Sequence, residues 1–307
     1  MKQEGFENKI LTVGQLVFLV APKIKISRRL ENSGCSVKLL MTIYESIGSR
    51  LAHELRMENE KRKIMQDIIV DEVVRIVNVQ SDLNQYFGIV LANKDWHQGI
   101  IGIVESIIKE QYNRSVVVIS INENKRGRRS ARSLSDFDMY KALDHCSDCL
   151  EGFGGHPIAA GLSIIEANVE GFPKAFLNYV KVQIKENELS PTLILDRELN
   201  LSDIDGRVIS FLDKLGSHGP MNMRQKFPIK NVQIKGVPKV SGSGGDHLKF
   251  SVKQNGRAYP IIAFNIFNCY EKIIRGTPLD IPVVIEKNEW TGNTTIQLNV
   301  RDIIFHG

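Results

Sequence analysis

Hydrophobic and polar residues follow three different patterns along the chain, and each pattern predicts a different kind of structure. From Ser36 to about Val79, apolar residues recur at helical spacing around the charged stretch MENEKRK, which predicts one long helix or two helices in series. Before it, VGQLVFLVAPKI predicts a helix or a strand that ends at Pro22, because the residue preceding a proline is pushed out of the helical region.

Between Phe87 and about Leu189, apolar strands alternate with amphipathic helices. FGIVLANK and SVVVISI predict two strands on either side of a helix in WHQGIIGIVESIIKEQY, and LSIIEA and FPKAFLNYVKVQIKENEL predict a later strand and helix. Between these pairs we expect a turn at KRGRRSARS, an amphipathic helix in DFDMYKALDHCSDCLEGF and a tight loop at GGHPIAAG. This order predicts an alternating α/β domain.

After Pro191 the helical pattern mostly ends and short strands follow one another between Gly, Asn and Asp turns. The strands are expected in LILDREL, NVQIKGV, LKFSV, YPIIAFN, DIPVVIEKN and TTIQLNV, with one helix in LSDIDGRVISFLDKLG. Five or six short strands at this spacing predict a small closed barrel.

Length, charge and cysteine content narrow the class of protein. A chain of 307 residues with 42% hydrophobic content suffices for two compact domains, and a net charge of +5 is too small to identify a partner. No apolar run reaches the roughly 18 to 20 residues of a membrane span, and MKQEGFENKI lacks the layout of a secretory signal. The four cysteines, Cys35, Cys146, Cys149 and Cys269, are too scattered for a disulfide framework. We therefore expect a soluble cytoplasmic protein with free thiols and no membrane association.

The densest cluster of positive charge is KRGRRSAR, which places five cations in eight residues. The five are Lys125, Arg126, Arg128, Arg129 and Arg132. Ser130 and Ser133 bracket Arg132, so that two hydroxyls and a guanidinium can bind one phosphate group. The alternative is an ordinary solvated loop.

Two glycine-containing motifs add candidate contacts. In GFGGHPIAAG, Gly154 and Gly155 allow backbone N–H groups to approach a ligand closely, with His156 at the tip; a tight turn with a hydrogen-bonded histidine is the alternative. In WHQGIIG, Trp96 and His97 precede a helix whose glycine-containing start attracts anions; the alternative is close packing of that helix on a sheet.

Along the chain the three motifs follow one another as WHQGIIG, SARS and GFGGHPIAAG. In this combination and order they resemble those of the RecJ type of single-strand DNA exonuclease, within the DHH phosphoesterase family. That family combines a W-H-x-G-x-x-G-I-V helix start, an S-x-R-S turn and F-G-G-H-x-x-A-A-G. The resemblance covers essentially the whole chain: PKIKISRRL is similar to the family's P-R-I-N-A-A-G-R, NEKRK to the charged part of its connecting helix, and LDKLGSHGPMN, DHLKFSV, IIAFN and NEWTGNTTIQLNVRDI to its OB barrel. Other relatives with this associated domain, the small-nucleotide phosphoesterases and alanyl-tRNA synthetase, lack such a barrel match.

The resemblance implies a fold and a domain layout. We expect an α/β DHH-associated domain with a mixed sheet over residues 81–190, preceded by a long connecting helix and a remnant of the DHH domain over 1–80. An all-β OB-type barrel is expected over 191–307. The resemblance also implies a single-stranded-DNA-binding part of a 5′-to-3′ exonuclease that acts in DNA repair and recombination.

The resemblance further assigns residues to the DNA. Ser130, Arg132 and Arg29 would hold a terminal 5′ phosphate, with Ser133 and Trp96 in the same module. His97 and the loop of Gly154, Gly155 and His156 would lie beside the scissile bond. On the barrel we expect Lys249, Lys253 and Arg257 to contact the backbone and Phe250 or Tyr259 to stack, although such aromatic residues are often simply core. The chain departs from the family at Lys25 and Arg28, which replace asparagine and glycine, and at Ile107, which replaces arginine.

Catalysis in the family depends on Mn²⁺ or Mg²⁺ held by a D-x-D-x-D-G strand and an Asp-His-His motif, and neither motif occurs in this sequence. The nearest match, DIDG at 203–206, stands at a predicted helix start, where aspartates serve as caps. Cys146 and Cys149 lie in a predicted helix without a second cysteine pair, so we expect no zinc site. We therefore expect no metal to bind this chain alone and no catalytic residue within it.

Two hypotheses remain open at this stage. The chain is either the DNA-holding part of a truncated or split exonuclease whose chemistry depends on a metal-binding half absent from the chain, or a stand-alone, noncatalytic module that binds single-stranded nucleic acid or has a regulatory role.

Overall fold

The computed structural model describes residues 13–25, 33–79, 87–134, 137–185, 189–219, 221–242, 245–290 and 293–306. The chain divides into two compact units, of which the first includes Gln15–Thr192 and the second Leu193–Gly307. Each unit contains one β-sheet, and each sheet has its own hydrophobic core.

Helices make up most of the described part of the chain before the first strand. They are α1 (Val13–Gln15), a π-helical segment (Leu16–Val20), α2 (Ala21–Lys25), α3 (Ser33–Met41) and α4 (Glu45–Val79). The helical pattern after Ser36 thus forms two helices in series. The expected stop at Pro22 is wrong, since the chain stays helical to Lys25. Pro22 is the second residue of α2, and the first turn of a helix does not need the N–H that proline lacks.

The first unit contains a mixed five-stranded sheet in the order β1-β2-β3-β5-β4. Its strands are β1 (Gly88–Asn93), β2 (Ser115–Ile121), β3 (Arg126–Arg132), β4 (Gly152–His156) and β5 (Ala159–Ile165). Strands β1 and β2 are parallel and joined by α5 (Gln98–Tyr112), which confirms the predicted strand-helix-strand unit. The other pairs are antiparallel.

Helices cover both faces of this sheet, which is why β2 is buried along its whole length. Val116 and Val118 face α4 and α5, whereas Val117 and Ile119 face the cluster formed with α6 (Met139–His145) and α7 (Gly171–Gln183). Strand β2 therefore shows the continuous β-branched pattern of a strand between two helical layers.

Three local expectations in this unit are wrong. The segment KRGRRSARS, expected as a turn, forms the interior strand β3, paired with β2 on one side and β5 on the other. GGHPIAAG is not a loop but belongs to the antiparallel hairpin of β4 and β5. Helix α6 ends at His145, so Cys146 follows the helix and Cys149 ends a short 3₁₀ turn.

The second unit is a closed barrel, as predicted. Its strands are β6 (Phe227–Ser241), β7 (His247–Gln254), β8 (Arg257–Ala263), β9 (Leu279–Trp290), β10 (Asn293–Val300) and β11 (Ile304–Phe305). The order is β10-β8-β7-β6-β9-β11, and β10 also pairs with β9, which closes the ring.

Two short helices accompany the barrel, α8 (Gly206–Lys214) and α9 (Tyr270–Ile274), of which α9 was not expected. LILDREL is not a strand: Asp196 and Leu199 each donate one backbone hydrogen bond, to the carbonyls of Lys226 and Pro228, without forming a ladder. None of the described helices is long and apolar enough to cross a membrane.

Candidate nucleic-acid interface

A cleft of about 1140 Å³ opens in the first unit where the N-terminus of α5 meets β2 and β3. Four of the residues singled out from the sequence lie together in its wall: Trp96, His97, Ser130 and Arg132. Lys94, Ser120 and Asn122 also line it, and so do two carboxylates, Asp95 and Glu123.

His97 caps the helix that points into this cleft. Its backbone is extended (φ −74°, ψ 125°), and its Nδ1 accepts a hydrogen bond from the N–H of Gly99 at 3.1 Å. Because Nδ1 acts as acceptor, the neutral imidazole carries its proton on Nε2. His97 is therefore a hydrogen-bond donor even when it is uncharged. The start of a helix of 15 residues adds a partial positive charge at the same place.

Trp96 lines the cleft but is buried, with only 3% of its surface exposed. Its Nε1 donates to Oε2 of Glu72 on α4 at 2.9 Å, and the other oxygen of Glu72 accepts from Asn93 at 2.8 Å. The Trp96 carbonyl accepts from the Ser120 hydroxyl. These bonds fix the segment that carries His97, so the indole ring holds the site in place and is not presented for stacking.

Ser130 and Arg132 lie on the same face of β3, because side chains two residues apart in a strand point the same way. The Arg132 guanidinium donates to the Ala131 carbonyl at 3.4 Å and forms no salt bridge within the described ranges. Lys94 and Arg126, in contrast, pair with Glu166 at 2.7 Å and with Glu151 at 3.3 Å. Arg132 thus keeps its charge free for an anion in the cleft.

Ser133 does not reach this cleft. It is fully buried, and its hydroxyl is held by the carbonyls of Leu134 (2.6 Å) and Phe137. These contacts shape the chain after β3, so the two serines that bracket Arg132 face different surroundings.

The glycine-rich motif is placed elsewhere in the same sheet. Gly154, Gly155 and His156 belong to β4, one of the two edge strands, and none of them lines the cleft at α5. Gly155 has a φ of +147°, and a Cβ there would lie 2.5 Å from the Cα of Ala160. Glycine is needed here for close pairing with β5, and His156 is exposed beside it. Arg29 lies outside the described residues.

Sequence reasoning missed Glu105, which lies beneath the cleft on the buried face of α5 and has no exposed surface. Its Oε1 accepts from the backbone N–H of Val118 at 3.1 Å, whereas Oε2 is buried without a hydrogen-bond partner among the described residues. Burial raises the pKa of Glu105 from 4.5 to about 8, although the Ser130 hydroxyl, the Val118 N–H and Arg132 each lower it. The available signal was a glutamate between Val104 and Ile108 on an otherwise apolar helix face.

On the barrel, the alternation of β7 decides which side chains are available. Lys249 and Lys253 are exposed, and Phe250 points into the core with 7% exposure. Tyr259 donates from its hydroxyl to the carbonyl of Ile204. Phe250 is therefore not available for stacking, whereas Tyr259 is partly buried against the barrel core.

The exposed aromatic residues of the barrel unit include Phe264 and Phe267, which were not predicted. Phe264 packs edge-on against His247, with ring centres 5.0 Å apart, and Phe267 stacks on Tyr270 at 5.8 Å.

The described residues do not fit a metal centre. No group of three or more His, Cys, Asp or Glu side chains lies close enough together to hold a metal ion in the ranges that the structure describes. Asp205 of the DIDG segment caps α8, accepting from the backbone N–H groups of Arg207 and Val208. Burial raises the pKa of the Cys146 thiol to about 11, which keeps it protonated.

Comparison with protein-family models identifies two domains. A DHHA1 domain matches residues 84–182, and a RecJ OB domain matches residues 195–302. Among curated proteins, the single-stranded-DNA-specific exonuclease RecJ of Haemophilus influenzae is 30% identical over 304 residues, which cover 94% of this chain and 51% of that protein. RecJ of Bacillus subtilis is 28% identical over 95% of this chain and 36% of its own length. The chain thus spans about half or less of these relatives.

Solved structures share the fold. RecJ from Thermus thermophilus in complex with Mg²⁺ superposes with a TM-score of 0.78 at 22% identity, over 98% of this chain and 45% of that one. The complex of the same protein with Mn²⁺ gives a TM-score of 0.80.

Proposed function

Because the chain carries a DHHA1 domain followed by a RecJ OB domain, we propose that it binds single-stranded DNA as part of a 5′-to-3′ exonuclease of the RecJ type. The observation that carries the proposal is the cleft at α5, where His97, Ser130 and Arg132 are brought together from two elements. The role in DNA repair and recombination, and the cytoplasmic location, belong to the same proposal.

The cleft is suited to a single phosphate group. Arg132 supplies a free positive charge, the Ser130 hydroxyl and His97 Nε2 supply neutral donors, and the start of α5 contributes its partial charge. Asp95 and Glu123 also line the cleft, so its attraction for an anion is local and not that of a uniformly positive surface. A terminal 5′ phosphate, which carries more charge than an internal one, is the ligand that such a local site would favour.

The barrel unit would hold the strand through its backbone and bases. Lys249 and Lys253 stand on the exposed face of β7, and Lys239 is the cross-strand neighbour of Lys249 on β6. Lysines of this kind bind phosphates without reading sequence, and the exposed rings of Phe264 and Phe267 offer stacking surfaces for bases.

Hydrolysis would require a metal-binding DHH domain, which we propose as a partner of the first unit. Helix α3 and the residues after it leave a group of large apolar side chains exposed, and such a surface is typical of contacts with another protein surface. The group consists of Val37, Leu40, Met41, Ile43 and Tyr44. In this proposal the Mn²⁺ or Mg²⁺ belongs to the DHH domain, and the 307-residue chain alone binds DNA without cutting it.

The test measures binding and cleavage separately. Fluorescence anisotropy with a labelled oligonucleotide, with and without a 5′ phosphate, should show salt-dependent binding that is tighter for the phosphorylated strand. Gel assays with Mn²⁺ should show no degradation by the chain alone and degradation when a DHH domain is added. Cleavage by the chain alone would refute the noncatalytic assignment, and binding that no DHH domain converts into cleavage would favour a stand-alone binding module.

A further inference from the structure

The buried carboxyl of Glu105 lies directly behind the phosphate-binding wall of the cleft. Three residues before it on α5, Gly102 packs so tightly on β3 that a Cβ there would be 3.3 Å from the Ser130 hydroxyl. Ser130 is thus placed between α5 and the cleft, with the Glu105 carboxyl beside it. Glu105 has one oxygen bound to the Val118 N–H. Its second oxygen, Oε2, has no hydrogen-bond partner among the described residues, although the Ser130 hydroxyl lies close enough to lower the pKa of the carboxyl.

A serine hydroxyl has only one proton to donate, and this limits what Ser130 can do for a phosphate. If Glu105 is ionised, it accepts hydrogen bonds only, and the Ser130 hydroxyl donates inward to it. Ser130 then shows the cleft an oxygen lone pair, which repels a phosphate oxygen. If Glu105 carries a proton, the acid donates to the Ser130 oxygen, and the hydroxyl proton is free to point into the cleft.

We propose that Glu105 is a positioning residue that sets the direction of the Ser130 hydroxyl, so that phosphate binding in the cleft is coupled to protonation of this buried acid. The inference rests on the proposed function, since it concerns the same phosphate site. Its ligand is a phosphate monoester or diester of single-stranded DNA.

Arg132 strengthens the coupling. Among the described side chains of β3, it is the charged group that acts on Glu105, and an ionised Glu105 attracts the same guanidinium that the phosphate needs. Protonation of Glu105 therefore releases both Ser130 and Arg132 toward the cleft.

The other elements around Glu105 bring little competing charge. Strand β2 has no charged residue and faces Glu105 with the Val118 N–H. The side chains that α4 contributes to the shared core are apolar, namely Ile69, Val73 and Val77. Glu72 of α4 accepts hydrogen bonds from Trp96 and Asn93 instead. On α5 itself, Lys109 and Glu110 follow one turn later and His97 stands at the cap. Burial holds the pKa of Glu105 at about 8, so the acid is protonated at neutral pH and titrates just above it.

The test compares wild-type protein with Glu105→Gln, whose amide is neutral at every pH and can always donate to Ser130. Binding of a 5′-phosphorylated oligonucleotide of cytidines is measured by anisotropy at constant ionic strength from about pH 7 to about pH 9. Wild-type affinity should fall about tenfold over this range, as expected when only the form with protonated Glu105 binds and the pKa of Glu105 lies in the middle of the pH range. Glu105→Gln should lose less than about twofold, and at the upper end should bind more tightly than wild type.

A second measurement uses wild-type protein and does not depend on the variant folding. Calorimetry of oligonucleotide binding near pH 8, in two buffers with different ionisation enthalpies, should show proton uptake on binding. The same calorimetry on His97→Gln, which has no imidazole at this position, measures the proton uptake that remains for Glu105.

The outcomes distinguish the two proposals. Wild-type affinity that stays constant with pH, without proton uptake, overturns the role of Glu105 and leaves the DNA-binding proposal intact. The same pH dependence in wild type and Glu105→Gln also overturns it. A failure of both proteins to bind any single strand at any pH refutes the proposed function and this inference together.

Discussion

Gly102 of α5 faces Ser130 of β3 so closely that a Cβ added to Gly102 would lie 3.3 Å from the Ser130 Oγ and 3.5 Å from its Cβ. This contact lets the helix approach the sheet and sets how far the Ser130 hydroxyl extends into the cleft. The glycine therefore has the packing role that WHQGIIG suggested, and it faces a residue of the proposed phosphate site.

Gly102→Ala tests this contact. The added methyl group should force Ser130 to shift and weaken binding of a 5′-phosphorylated oligonucleotide, by about threefold to tenfold if one hydrogen bond is impaired. Alanine also raises helix propensity by about 1 kcal/mol, which offsets the tight contact, so the unfolding midpoint in urea should change little. Unchanged affinity in Gly102→Ala would show that the Ser130 position is irrelevant to binding.

Arg132→Ala should weaken binding of 5′-phosphorylated oligonucleotides more than that of unphosphorylated ones. Loss of a charge-assisted hydrogen bond costs about 1.5 to 3 kcal/mol, which is roughly a tenfold to hundredfold change in affinity. Arg126→Ala is the matched control, because Arg126 lies on the same strand but pairs with Glu151. Equal losses on both oligonucleotides would remove Arg132 from the 5′-phosphate site.

Trp96→Phe should lower the free energy of unfolding, because it leaves the Oε2 of Glu72 without the indole N–H. An unsatisfied acceptor of this kind costs about 1 to 3 kcal/mol, measurable by urea denaturation. Glu72→Gln keeps an acceptor for the indole N–H but loses the one that takes the Asn93 amide, so it should also lower the free energy of unfolding. A loss of DNA affinity in Trp96→Phe without any loss of stability would instead indicate that the ring contacts the strand.

Local sequence patterns suffice where a single segment determines its own burial. The continuous Val and Ile residues of SVVVISI indicate a strand buried on both faces, and β2 is such a strand. The closed barrel follows from short strands at regular spacing, whereas the pairing of β10 with β9 that closes it is seen only in the structure.

The candidate site could be predicted only in part, because its decisive contacts join residues far apart in the chain. Because KRGRRSARS is so highly charged, the sequence predicted a turn there. The segment is a strand whose side chains alternate, with Gly127 and Ala131 in the interior and Ser130 and Arg132 at the cleft. Trp96 was expected at the DNA, but its partner Glu72 lies 24 residues away and holds it in the core. In the sequence, Glu105 resembles an ordinary exposed helix glutamate, because its burial depends on β2 and β3, which follow it in the chain.

The raised pKa of Glu105 predicts how stability depends on pH. Its pKa is about 8 in the folded protein and near 4.5 when unfolded, so the folded state binds more protons between these values. The contribution of the protonated Glu105 carboxyl to the free energy of unfolding is therefore complete below about pH 4.5 and is lost as pH rises toward 8. Its upper bound is on the order of 5 kcal/mol. Urea denaturation should show this decline in wild type, and Glu105→Gln should lack that part of it. Parallel pH profiles for the two proteins would contradict an elevated pKa.

Lys249→Ala tests the barrel as a sequence-independent contact. Lys249 is exposed on β7 beside Lys239 and Lys253, so it should bind an internal phosphate and release a counterion. Its loss should weaken binding equally for phosphorylated and unphosphorylated strands, in contrast to Arg132→Ala. It should also reduce the slope of log affinity against log salt by about 0.7, the value for one phosphate contact on a single strand. Lys287→Ala is the control, since Lys287 is a barrel lysine already paired with Asp213. An unchanged salt slope in Lys249→Ala would place the strand on another face of the barrel.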